Sequence, residues 1–339
     1  MHKPHSAVGQ SAWIDLLRLL REDAAGAIRG KPRRKQIGGK AYWYDQYRLG
    51  DQTIDRYLGE DTDDLRARID RHADLAAAAE TRKTQRARLM RILRAEGYLT
   101  PDLATGQVVQ ALARVGVFRL GGTLVGTQAF RCYEGVLGVQ IGFDQSAMTQ
   151  DLDIASFERL SLVLDDTVEQ DLAGVFDALK FAPVPSLRKG QVWRWMQTRQ
   201  QTLVEFLTPA FSADESLRPL KALGVSAQSL HYLNYLIADP ITVPFLYRSG
   251  VLVQVPRPEA YAIHKLIVAD RRRDGTETQK AQKDRMQAAF LIEVLAAERP
   301  DDLAQAYVDA LARGPAWRRR IDASLARLPD TAARLAHLG

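Results

Sequence analysis

The sequence predicts an α+β protein: a small mixed sheet with C-terminal helices, preceded by a helix–hairpin–long-helix module. Three observations carry this. Between residues 101 and 255, short apolar or alternating runs exchange with helical periodicities, the texture of a small sheet with helices packed against it. From about residue 256 the apolar positions recur at helical spacing through three successive segments. Before residue 100 the chain is charged, helical and interrupted by an aromatic hairpin pattern. Three regions follow: 1–100, 101–255 and 256–339.

The elements are read in order. Ser11 precedes an amphipathic stretch with Trp13, Leu16, Leu17 and Leu20 at helical spacing. The segment GKPRRKQIGGK (30–40) reads as a basic, glycine-rich connector. KAYWYDQYR and DQTIDRYLG read as the arms of a β-hairpin turning at Leu49-Gly50-Asp51. Asp61 or Thr62 then opens a long charged helix to about residue 97 without strong internal breakers. After YLTPD (98–102), TGQVVQALARVG reads as a helix, VFRLGG as an apolar strand running into glycines, and TLVGTQAFRCYEGVL as a second helix. TQDLDIAS reads as a strand, VEQDLAGVFDALK as a helix, and QVWRWMQTRQQTLVEFLTP as two strands with a bend. PEAYAIHKLIVADRRR, TQKAQKDRMQAAFLIEVLAAE and PDDLAQAYVDALARG are amphipathic helices.

Composition narrows the function classes. A 46% hydrophobic fraction in 339 residues supports a sizeable core. Apolar runs fall short of a membrane span, and the N-terminus lacks the apolar core of a secretory signal. A single cysteine, Cys132, leaves no internal disulfide and fits a reducing, cytoplasmic setting. The net charge of +6 lies wholly in residues 1–100, where 20 Lys and Arg stand against 14 Asp and Glu. That third is the better surface for nucleic acid, or a plain solvated face. The hairpin interleaves aromatic and basic residues, which suits either base stacking or packing on neighbouring helices. The Arg triplets at 271–273 and 318–320 read as solvated helix ends or as nucleic-acid contacts.

The chemistry centres on Gly121 to Glu205. A glycine pair between a strand and a helix, Gly121-Gly122 before Thr123, lets a phosphate approach backbone N–H groups, or is simply a turn. Asp151 and Asp153 stand at i,i+2, which places both carboxylates on one face of a strand. Such a pair suits a shared Mg²⁺ that also binds substrate phosphates. Glu205 in TLVEFLTP offers a third carboxylate on a later strand. Lys265 falls on one helix as a phosphate contact or a snorkelling side chain. Lys283-Asp284 opens another, where an acid also suits the helix dipole. His264 reads as a packing or capping residue.

The run RLGGTLVGTQAF…TQDLDIA…TLVEFLTP resembles the nucleotidyltransferase superfamily of DNA polymerase beta type, with some likeness to the nucleotidyltransferase-like toxins of abortive-infection systems. The resemblance spans roughly 105–295. It implies that Gly121, Gly122 and Thr123 hold a triphosphate, and that Asp151, Asp153 and Glu205 ligate Mg²⁺ or Mn²⁺ and carry catalysis. It further implies phosphate contact for Lys265 and a catalytic role for Asp284. Two departures stand out: 28 residues separate Gly122 from Asp151, and the third acid is Glu where Asp is usual. The expected activity is transfer of a nucleoside monophosphate from an NTP to an acceptor hydroxyl, with RNA or DNA held by the basic N-terminal third. The alternative is a non-catalytic protein of the same fold that senses nucleotide or binds nucleic acid. No membrane partner is expected, and the 62–97 helix offers a homodimer contact.

Overall fold

The structure, a computed structural model, describes residues 2–26, 28, 30–49, 52–142, 151–157, 166–185, 191–197, 202–272 and 278–338. Helix α1 (Ala7–Gly26) buries Trp13, Leu16 and Leu20. A three-stranded antiparallel sheet follows: β1 (Lys31–Ile37), β2 (Lys40–Leu49) and β3 (Gln52–Glu60). The basic stretch read as a connector is therefore an edge strand. Its cations find carboxylates across the sheet, Arg34 on Asp61 at 2.7 Å and Lys35 on Asp55 at 2.7 Å. The expected turn at residues 50–51 lies outside the described residues. Trp43 donates to Asp61 at 2.7 Å and Tyr57 packs between Tyr42 and Tyr44. The hairpin aromatics are thus engaged in packing.

Thr62 caps the next helix, accepting from the Leu65 N–H at 3.2 Å. The predicted long helix is, however, three: α2 (Asp63–Asp70), α3 (His72–Ala77) and α4 (Ala79–Ala95). The backbone leaves helical geometry at Arg71 and Ala78, and the chain folds around α1, with which all three helices are in contact. The breaks let Ile69, Leu75, Met90 and Leu93 all become buried, which one straight helix passing α1 would not achieve.

Asp102 caps α5 (Leu103–Arg114), accepting from the Thr105 N–H at 2.9 Å. Residues 115–121 are turns where VFRLGG was read as a strand. The bonds are local, Val117 N–H to the Leu112 carbonyl at 3.0 Å and Gly122 N–H to the Val117 carbonyl at 2.9 Å. The strand comes after the glycine pair, as β4 (Thr123–Val125), and α6 starts only at Gly126 (Gly126–Leu137). The main sheet runs β4, β5 (Asp151–Ala155), β8 (Thr202–Pro209), β10 (Val225–Leu230), β9 (Leu217–Leu220), with β7 (Arg194–Gln197) also on β8 and β6 (Phe181–Pro183) on β7. Helix α7 (Leu172–Ala178) precedes β6, and the short α8 (Leu233–Leu236) follows β10. A separate ribbon, β11 (Ile241–Phe245) and β12 (Val251–Val255), leads into the C-terminal helices.

Those helices are α9 (Pro258–Arg271), α10 (Thr278–Glu298), α11 (Pro300–Ala312), α12 (Pro315–Leu325) and α13 (Pro329–Ala336). Helix α9, read as amphipathic, is buried on nearly every side, because α10, α11 and α12 all pack on it. One apolar core runs from Trp13 of α1 through the sheet to Leu335 of α13. At the Trp13 contact the indole fills the space a side chain on Gly135 of α6 would need. Among the described residues no helix is long and apolar enough to cross a membrane.

Candidate active site

Strands β5 and β8 run parallel with Asp153 opposite Glu205, and β4 runs antiparallel to β5 with Val125 opposite Asp153. Side chains two apart in a strand share a face, so the backbone puts Asp151, Asp153 and Glu205 on one face. Gly126 follows Val125 directly, at φ +64°, and turns the chain from β4 into α6. A Cβ on Gly126 would collide with the Asp153 carboxylate. The acids therefore stand against the N-terminus of α6, where free N–H groups and the helix dipole favour negative charge.

The carboxylates perturb one another. Burial, then the charges of Glu205 and Asp151, push Asp153 up to about 7. Burial also raises Glu205, against the pull of Arg194 at 3.7 Å. Like charges held on one buried face each disfavour the other's ionised form.

A cationic wall from α9 and α10 faces the acids. Asp284, buried, bridges the Lys265 ammonium and the Arg272 guanidinium, the latter at 2.8 Å. Burial raises its carboxyl, but the two cations outweigh this and hold it below its ordinary value. The Lys283 ammonium donates to the Thr127 hydroxyl, in the first turn of α6, at 2.9 Å. Burial, then Lys265, bring Lys283 down to about 8. Tyr261 donates to the Gly126 carbonyl at 2.8 Å and its ring lies 5.2 Å from the Lys265 ammonium. The wall thus also fixes the turn beside the acids.

Comparison with known families decides the membership. The family described as "Nucleotidyltransferase" matches residues 104–312, well over half the chain. The chain belongs to this nucleotidyltransferase family. A second family, described as a domain of unknown function (DUF6788), matches residues 12–67. Neither the curated proteins nor the solved structures gave a match.

In this nucleotidyltransferase the predicted residues divide. Asp151, Asp153 and Glu205 share a face, and Lys265 and Asp284 meet across from them. Gly121, Gly122 and Thr123 lie at the other end of β4, three to five residues before Gly126 at the strand–helix junction. The N–H groups of both glycines are turned inward, to Phe118 at 3.3 Å and Val117 at 2.9 Å, and Thr123 is buried. The glycine turn from strand into helix stands instead at Gly126-Thr127. Its signal was present in the same run, as a second Gly-Thr after the apolar Leu124-Val125. Arg272 was expected at a solvated helix end or a nucleic-acid contact, Lys283 was named without a role of its own, and Tyr261 was not singled out; tertiary contacts bring all three beside the acids. Among the described residues no three His, Cys, Asp or Glu side chains, as placed, are grouped to hold a metal ion. The donor chemistry nevertheless fits one: three carboxylates on a single face, two of them raised by burial and by neighbouring negative charge, are what a divalent cation would discharge.

Proposed function

We propose that the protein transfers a nucleoside monophosphate from an NTP to an acceptor hydroxyl, releasing pyrophosphate. The observation that carries this reading is the pairing of Asp153 with Glu205 across β5 and β8, directly against the N-terminus of α6. Asp151, Asp153 and Glu205 would hold Mg²⁺ or Mn²⁺, which when bound neutralises charge on the triphosphate and on the reacting oxygens. The chain supplies the rest. The first-turn N–H groups at Gly126 and Thr127 would receive phosphate oxygens, in place of the expected Gly121-Gly122-Thr123. Lys265, Arg272 and Lys283 would balance the triphosphate charge. Asp284 touches these cations rather than the acid face, so its role in this reading is to position Lys265 and Arg272. The acceptor oxygen forms a bond to the α-phosphorus, the bond to the β-phosphate oxygen breaks, and one of the carboxylates takes the acceptor proton.

The test is pyrophosphate release by the full-length protein with Mg²⁺ and each NTP, together with NTP binding by calorimetry. Asp151→Asn or Asp153→Asn should lower the rate by at least about a hundredfold while leaving the thermal midpoint unchanged or higher, since each removes a like charge. NTP binding without any release in the wild type would instead identify a nucleotide sensor. Release unaffected by either substitution would sink the proposal.

A further inference from the structure

The acid face and cationic wall leave a concave region elsewhere unused. A groove of about 460 Å³ is lined by Ala210, His231, Tyr232, Asn234, Arg313 and Trp317. It lies where the C-terminal ends of β8 and β10 meet the corner between α11 and α12. Tyr232 has φ +71°, a left-handed backbone that bulky residues rarely adopt and that concentrates at functional sites. The surroundings hold it there. Arg320 donates to its hydroxyl at 3.0 Å, and the Trp317 ring meets it edge-on at 4.8 Å. The Arg313 guanidinium, exposed, lies 5.2 Å from the Trp317 ring centre. Arg318 and Arg319 are exposed beside it, and none of Arg313, Arg318 and Arg319 has an ion-pair partner among the described residues.

Rings and guanidinium planes with unbalanced positive charge suit unstacked bases and their phosphates. The groove and the acids are linked through β8. Ala210 lies five residues along from Glu205, roughly 17 Å in an extended strand. Helix α9 ends in adjacent arginines that face both places. Arg272 binds Asp284 at 2.8 Å, while Arg271 binds Glu215 at 2.8 Å and lies 5.7 Å from the Tyr232 ring centre.

We propose that this groove binds single-stranded nucleic acid, stacking bases against Tyr232, Trp317 and Arg313, and so leads an acceptor strand's end to the acid face. The acceptor role rests on the transfer reading above; the binding does not.

The test titrates the full-length protein with a short fluorescein-labelled single-stranded RNA, the same sequence as DNA, and its duplex. Single strands should bind in preference to the duplex and quench tryptophan emission, with the RNA and DNA arms showing which sugar is preferred. Arg313→Ala combined with Arg318→Gln should weaken single-strand binding roughly tenfold with an unchanged thermal midpoint. Trp317→Phe should keep the fold while reducing the quenching. Wild-type affinity in the double variant, or preference for the duplex, would overturn the proposal. So would a loss of binding confined to Arg88→Gln, Arg91→Gln and Arg94→Gln on the exposed face of α4. Groove-dependent strand binding without pyrophosphate release would leave the groove standing and defeat the transfer reading. Release onto a protein hydroxyl with no strand binding would do the reverse.

Discussion

A single methyl group at Gly126 would meet the Asp153 carboxylate and impose a side chain on a left-handed residue. Gly126→Ala should therefore cost about 1–3 kcal/mol of stability and displace Asp153, abolishing pyrophosphate release; denaturant unfolding and the rate assay check the two effects separately. His264, fully enclosed in α9, makes a different prediction. Burial, then Lys265, lower it from 6.5 to about 3. Between those values the unfolded chain binds a proton that the folded chain does not. Stability present above pH 6.5 is thus lost as pH falls toward 3. His264→Leu should flatten that acid dependence in urea titrations at successive pH values. Lys283 acts in the other direction on ligand: with its amine at about 8, NTP affinity should weaken as pH rises through 8, and Lys283→Gln should remove that step in calorimetry.

At the scale of elements, the buried bridge between α9 and α10 is the most exacting. Removing one partner of a buried ion pair leaves the other uncompensated. Asp284→Ala should cost about 3–5 kcal/mol, the opposite sign to Asp151→Asn, and comparing their unfolding midpoints tests the distinction between a positioning acid and a repelling one. Strands β5 and β8 were legible in the sequence because alternation and the i,i+2 acids coincide. Their register was not, since nothing local states that Asp153 faces Glu205. The glycine turn was misplaced because Val117, Phe118 and Leu120 form an apolar run that is buried in turns, and burial alone has no period. Arg71 and Ala78 gave no warning of a break, both being good helix formers; contact with α1 decides the path. Helix α9 showed a polar side only because Glu259, His264, Lys265 and Asp270 are polar residues that are themselves buried.

At the scale of the whole molecule, the N-terminal third is part of the same core as the nucleotidyltransferase sheet. Trp13, Leu16, Met90 and Leu93 belong to one apolar cluster with Leu152 and Phe206. Arg119 ties the two further, donating to the Tyr57 carbonyl at 3.0 Å and pairing with Asp166. Trp13→Ala should cost about 3–5 kcal/mol and lower one cooperative transition, seen by calorimetry, rather than releasing a separately melting part. Some of the cations that drew attention to this third are held by its own acids, Asp23 alone pairing with both Arg82 and Arg86.

The two glycines of α6 have a joint effect. Gly126 accommodates a carboxylate and Gly135 an indole, nine residues apart, roughly 13–14 Å along the axis. Each residue added or removed between them would rotate one contact against the other by about 100° and slide it about 1.5 Å. Helix α6 therefore has a fixed length and phase, as a keyed shaft does. The place where α1 docks and the place where Asp153 stands can change only together.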